Sequence, residues 1–181
     1  MGWRNSAARY GWLAVSLHWL MLLLVVAAYA SMELRQFYPR GSDIRAAMKT
    51  WHYMLGISIL ALTLIRLAVY FAGPTPDVLP GRKWQLASAK WMKVALYCFL
   101  LAMPVLGWLL VSAEGTPVLF FGLQVPALTA ENKALAEWAE ELHEGGATVG
   151  YFLIGLHAAA ALYHHYLLRD DTLRRMLPQR R

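Results

Sequence analysis

The sequence predicts an all-α integral membrane protein, a four-helix bundle forming one domain over residues 1–181. Three observations carry that expectation. Hydrophobic residues make up 59% of the chain and charged residues 15%, with a mean hydropathy of +0.40, a balance foreign to a soluble domain of this size. Four apolar runs are each long enough to cross a hydrocarbon core of about 30 Å as helices, which satisfy their own backbone groups. The charges flank these runs and form no separate basic domain, so nucleic acid is not an expected partner and membrane lipid is.

The first span is expected at about 10–30, and because it holds His18 and lacks a small-residue cleavage site it reads as a retained helix. The loop ELRQFYPRGSDIRAAMKT is short and basic. The second span, about 51–72, leads into GPTPDVLPGRKWQLASAK, whose three prolines suggest an extended connector. The third, about 91–112, contains Pro104, expected to bend it, and Cys98, expected to be a packed apolar residue. One cysteine excludes an internal disulfide and a CxxCH haem attachment. Residues 113–141 form the longest loop; Glu114, Glu131, Glu137, Glu140 and Glu141 make it acidic, and PALTAENKALAEWAEELHE reads as an amphipathic surface helix running into span four, about 142–168. Thr129, Asn132 and Lys133 give a weak capping signal there.

Sidedness follows from the positive charges. Arg4, Arg9, Arg82, Lys83, Lys90, Lys93, Arg169, Arg174, Arg175, Arg180 and Arg181 lie on one side, against Arg35, Arg40, Arg45, Lys49 and Lys133 on the other. That bias places both termini in the cytoplasm.

Histidines supply the chemistry. His143 and His157 are fourteen residues apart in ELHEGGATVGYFLIGLHAAAALYHHYLL, so they return to within roughly 40° of one helix face while climbing about 21 Å. Intramembrane histidines need a partner, a water cavity or a metal. With the topology above, His52 matches His143 near the outer surface, and His18 matches His157 nearer the cytoplasm. Iron bound axially by paired imidazoles at two depths means two non-covalent b-type haems. Gly56, Gly145, Gly146, Gly150 and Gly155 leave room for a flat macrocycle, although glycine is also common at membrane helix contacts.

Other residues fall near these levels. Arg66 is fourteen residues after His52, at the inner level, where it pairs with a haem propionate or a quinone oxygen, or else snorkels to headgroups. His164 follows His157 by seven residues, within about 20° of its face, and is placed to meet a quinone head group or is simply solvated; His165 points about 80° away. Arg35, Arg40, Arg45 and Lys49 surround the outer level as a funnel for a small anionic reductant, with propionate or lipid contact as the competing uses.

The motifs SLHW, AAYASMELRQFYPR, WHYMLGISIL with LIRL, LAMPVLGW, FFGLQVP and GYFLIGLHAAAALYHHYLLRDDTLRRMLP closely resemble the bacterial cytochrome b561 family over nearly the whole chain. The resemblance is strongest to its diheme superoxide-oxidising members. It implies an oxidoreductase of the inner membrane that oxidises superoxide to dioxygen at the periplasmic face and reduces ubiquinone near the cytoplasmic face. It carries the haem ligands onto His18, His52, His143 and His157, and the quinone site onto Ser16 and His164. Ser16 has an alternative as a hydroxyl bonded back to its own helix. Two other readings compete: a membrane-anchor cytochrome b fed by a partner dehydrogenase or hydrogenase, with the acidic third loop as docking surface, and a non-redox membrane protein whose histidines relay protons.

Overall fold

In a computed structural model, which describes residues 2–7, 9–77, 79 and 81–177, the chain is a bundle of four long helices. Pro80 of the connector and Arg180 and Arg181 of the tail, counted above, lie outside the described residues. The helices are α1 (Trp12–Arg35), α2 (Asp43–Phe71), α3 (Lys83–Ala113) and α4 (Lys133–Tyr163), and all four are long and apolar enough to cross a membrane. α4 continues as a π-helical turn, His164–Leu168.

The helices run beyond the expected spans, and side-chain caps explain where two of them start. Ser42 Oγ accepts from the Arg45 amide at 3.4 Å, so the turn DIRAAMKT is helical where a hydropathy reading leaves a loop. Asn132 Oδ1 accepts from the Leu135 amide at 3.0 Å, and α4 runs unbroken from there through His143, His157 and Tyr163. At α3 the Gln85 side chain reaches back to the Arg82 amide at 2.9 Å, shortening the proline connector. Pro104 sits inside α3 without ending it.

Adjacent helices pack in chain order. The apolar centre is Met21, Val25 and Ala28 of α1 with Ile59 of α2, walled by Leu55, Leu62, Leu100 and Ile154. α4 closes onto α1 through Tyr29, whose hydroxyl donates to the Ala147 carbonyl at 2.8 Å and whose ring meets Tyr151 at 4.4 Å between centroids. A side chain on Gly150 would run into the Tyr29 hydroxyl and the Phe99 ring, so this glycine serves helix contact. Gly146 does the same against Met103. Few side chains are fully buried, and large apolar ones such as Leu23, Phe152 and Leu156 point outward, as lipid-facing residues do. Cys98 corrects the sequence reading: it is exposed on this outer surface, not packed within the bundle.

The loop after α3 holds an element the sequence reading lacked. β1 (Val118–Phe120) pairs antiparallel with β2 (Leu123–Val125), Phe120 opposite Leu123. Phe121 and Gly122 form the two-residue turn with φ of 48° and 85°, the positive values such tight hairpins require. The hairpin is tied down by Trp108 Nε1 donating to the Pro126 carbonyl at 3.0 Å and by the Leu128 amide donating to Ser112 Oγ at 3.1 Å.

Candidate functional site

The bundle brings the four histidines together as two pairs. His18 of α1 faces His157 of α4 with 6.3 Å between ring centroids and 69° between planes. His52 of α2 faces His143 of α4 at 6.0 Å and 84°. A metal–imidazole bond of about 2.0–2.1 Å, with the ring centre ~1 Å further along the same line, puts two trans rings about 6 Å apart. Both pairs have that gap. No group of three or more histidine, cysteine or acidic side chains gathers among the described residues, so the donor sets suit axial ligation of a haem better than four-coordinate zinc.

Surroundings of the His52–His143 pair add to the fit. His52 Nδ1 lies 3.0 Å from the Ala28 carbonyl and donates to it, which leaves Nε2 with the lone pair a metal takes. Nδ1 of His143 is buried near the Met103 carbonyl but lacks a hydrogen bond of good geometry among the described residues. A small, open crevice is bordered by both rings and lined by Tyr53, Gly56, Gly107 and Val118 among others. Gly107 is needed because a Cβ there would come within 3.1 Å of His143 Cε1, whereas one on Gly56 would meet nothing within 4 Å. A Cβ on Gly145 or Gly155 would likewise meet nothing within 4 Å, the second of them two residues before His157. Of the five glycines singled out, three thus line open space and two serve packing.

At the His18–His157 pair the tautomer runs the other way. Arg66 Nη2 is 3.2 Å from His18 Nδ1 and must donate to it, so the ring proton sits on Nε2. Ligation through Nε2 requires Arg66 to release this bond. Its guanidinium also lies over Tyr97, 5.8 Å from the ring centroid.

The four basic residues of the far end do not behave alike. Arg45 Nη1 donates to the carbonyls of Arg35 and Tyr38, each at 3.0 Å, and so closes the end of α1. Lys49 pairs with Glu114 at 3.8 Å and lies over the Tyr53 ring. Arg35 lies within electrostatic reach of His52 and keeps a buried Nε without a partner among the described residues, and Arg40 is exposed.

At the opposite end Ser16 is exposed, and its hydroxyl makes no hydrogen bond among the described residues, unlike Thr63, whose hydroxyl donates back to Ile59 at 2.7 Å. His164 opens the π-turn and contacts Asp170, with 2.5 Å between Nδ1 and Oδ2. No hydrogen bond joins Ser16 to His164 among the described residues. Asp170 was missed in the sequence, where it reads as one of two tail acids; a pair of aspartates just past a histidine-bearing span was the available signal. Trp19, edge-on to His18 at 5.4 Å, donates to the Met176 carbonyl at 2.6 Å and holds the tail against α1.

Comparison with known proteins gives one consistent answer. Residues 9–179 match the family described as prokaryotic cytochrome b561. Cytochrome b561 homolog 1 of Escherichia coli K12 is 38% identical over 174 residues, covering 96% of this chain and 99% of that relative. A Yersinia pestis protein named "Probable superoxide oxidase CybB" is 37% identical over 177 residues, 96% of this chain and 98% of its own. Cytochrome b561 homolog 2 of E. coli K12 is 31% identical over 182 residues, 98% and 95% of the two chains.

Proposed function

The chain belongs to the prokaryotic cytochrome b561 family of multi-pass membrane electron-transfer proteins with b-type haem, and on that premise we propose that it oxidises superoxide and reduces ubiquinone through two haems in the bacterial inner membrane. The observation that carries this reading is the pair of ring gaps, 6.3 Å and 6.0 Å, at two levels of one helix. Each pair has a ring spacing that two imidazole ligands of one iron would have, and fourteen residues of α4 separate the levels by about 21 Å, most of the thickness of a membrane core. When bound, the haems supply one-electron chemistry at each level.

The protein's own residues set the rest. His52 and His143 hold the outer group, His18 and His157 the inner one, and both termini are cytoplasmic. The outer reaction needs no nucleophile or general base, because two superoxide ions each lose one electron to become dioxygen. Arg35 and Arg40 attract that anion, while Lys49 shares its charge with Glu114. The inner reaction takes two electrons and two protons to turn a quinone into a quinol. Ser16, with its unengaged hydroxyl, and His164 are the polar groups for that head group. Arg66, released from His18, pairs with a haem propionate or the quinone. The superoxide step finds its support in the name of the Yersinia relative.

An optical experiment tests the reading. The purified holoprotein receives a pulse of potassium superoxide, followed by a ubiquinone analogue. Reduced b-type bands that then reoxidise are expected. Bands that stay oxidised with superoxide yet respond to quinol would instead indicate a subunit fed by a partner redox protein.

A further inference from the structure

We infer that Asp170 and His164 form a dyad in which the carboxylate positions the imidazole as proton donor to the quinone. This rests on the quinone-reducing reading above and adds a residue to it.

The dyad is built by the end of α4. The helix widens into the π-turn His164–Leu168, Arg169 takes a left-handed conformation with φ 55°, and the Asp170 amide closes back onto the His164 carbonyl at 3.1 Å. Single π-turns recur at functional sites. Here the reversal folds Asp170 under His164. Oδ2 takes the imidazole Nδ1–H, and Oδ1 accepts from the Thr172 amide at 2.9 Å. Thr172 Oγ1 lies 3.5 Å from the same ring nitrogen.

Among the described residues the one ion-pair partner within reach of Asp170 is His164. Arg174 pairs with Asp171 at 3.4 Å, and Arg175 donates to the Asp77 carbonyl at 2.7 Å. Burial opposes ionisation of Asp170, but the hydrogen bonds from Thr172 and His164 outweigh it and hold the carboxyl below its ordinary value. The Trp19–Met176 tether pins this segment beside His18. With Nδ1 committed, Nε2 is the nitrogen left for a ligand, and it has no partner among the described residues. The side chain is 29% exposed, which admits both a head group and water.

The chemistry is that of a carboxylate-oriented histidine acting as general acid. The Nε2–H bond of the imidazolium breaks, its electron pair stays on the ring, and an O–H bond forms on the quinone oxygen. Two such transfers, with one electron from each of two superoxide ions, make one quinol. His164 regains its proton from water each time. Asp170 fixes which nitrogen faces the substrate, so it is a positioning residue.

The test uses the holoprotein with Asp170→Asn, Asp170→Glu and His164→Gln. Haem content and dithionite-reduced spectra establish that each variant is assembled. Reoxidation of reduced protein by a ubiquinone analogue is followed over a range of quinone concentrations. For Asp170→Asn the limiting rate should fall roughly 10–100-fold, the range for losing such an orienting partner, with half-saturation changed under about threefold. Asp170→Glu should recover most of the rate. ¹⁵N spectra should show the His164 signal, identified by its loss in His164→Gln, as the Nδ1–H tautomer in the parent and not in Asp170→Asn. A parental limiting rate in Asp170→Asn, or equal losses in Asn and Glu with raised half-saturation, would overturn the dyad. Parental rates in His164→Gln would overturn it by removing its premise, the quinone site itself.

Discussion

Replacing Gly150 with alanine probes the lock between α1 and α4 directly. The added methyl would collide with the Tyr29 hydroxyl on one side and the Phe99 ring on the other. Tyr29 does not yield easily, because it is anchored by its 2.8 Å bond to the Ala147 carbonyl and its ring lies against Tyr151. Overpacking of a tight contact costs about 1–3 kcal/mol. Breaking the tyrosine bond adds about 0.6 kcal/mol, the mean for hydrogen bonds between membrane helices. A loss of about 2–4 kcal/mol is therefore expected for Gly150→Ala and about 0.6 kcal/mol for Tyr29→Phe. The double variant removes the hydroxyl from the collision, so its loss should be smaller than the sum of the two. Reversible unfolding in mixed micelles, read as a double-mutant cycle, measures all three. Additive losses, or a Gly150→Ala protein as stable as the parent, would refute the account of this contact.

Three further outcomes are expected. On the two-haem proposal the parent should bind two haems per chain and His157→Ala one, because the His52–His143 pair shares no ligand with it; pyridine haemochrome assay against protein concentration reads this, and loss of both haems or neither contradicts the pairing. Glu114→Gln frees the charge of Lys49 at the outer rim and should raise the rate of haem reduction by superoxide about 2–3-fold at low salt, with the difference vanishing near 1 M salt. Asp170 has a lowered folded pKa, so its contribution is fully present above the ordinary value of 3.8 and is lost as pH falls through the lower folded one; amide exchange at Asp170 and Thr172 should therefore accelerate only in strong acid.

What the sequence revealed depended on whether a signal was periodic. The histidine pairs were legible because a helix repeats its faces at a constant angle: spacing placed His143 and His157 on one side and Arg66 at the inner level, and topology matched the pairs, while the Arg66 contact with His18 came only from the fold. Helix ends were less legible at α2, where hydropathy counts Asp43–Thr50 as polar and helix formation depends on the Ser42 cap, whereas the amphipathic stretch before span four reads as the helix that α4 contains. The hairpin was invisible to periodicity because its strands are three residues each, and only Gly122 after Phe121 marks the turn. Asp170 reaches His164 through a π-turn and a left-handed arginine, neither of which leaves a mark in a run of charged tail residues. Lys49 and Arg45 read as free cations until the fold supplied Glu114 and the carbonyls of Arg35 and Tyr38.

Both histidine levels hang on one uninterrupted helix, and this makes chain length a quantity under constraint in its own right. One residue inserted between His143 and His157 would swing one imidazole by about 100° while its partner on α1 or α2 stayed still. Gly150 aside, substitutions within ATVGYFLIGL alter packing by degrees, but an insertion or deletion there breaks alignment at a stroke. Steps of about seven or eleven residues restore the face, and each shifts the levels by roughly 10 or 16 Å against the fixed thickness of the bilayer. The segment acts as a ruler whose marks tolerate rewriting and whose length does not.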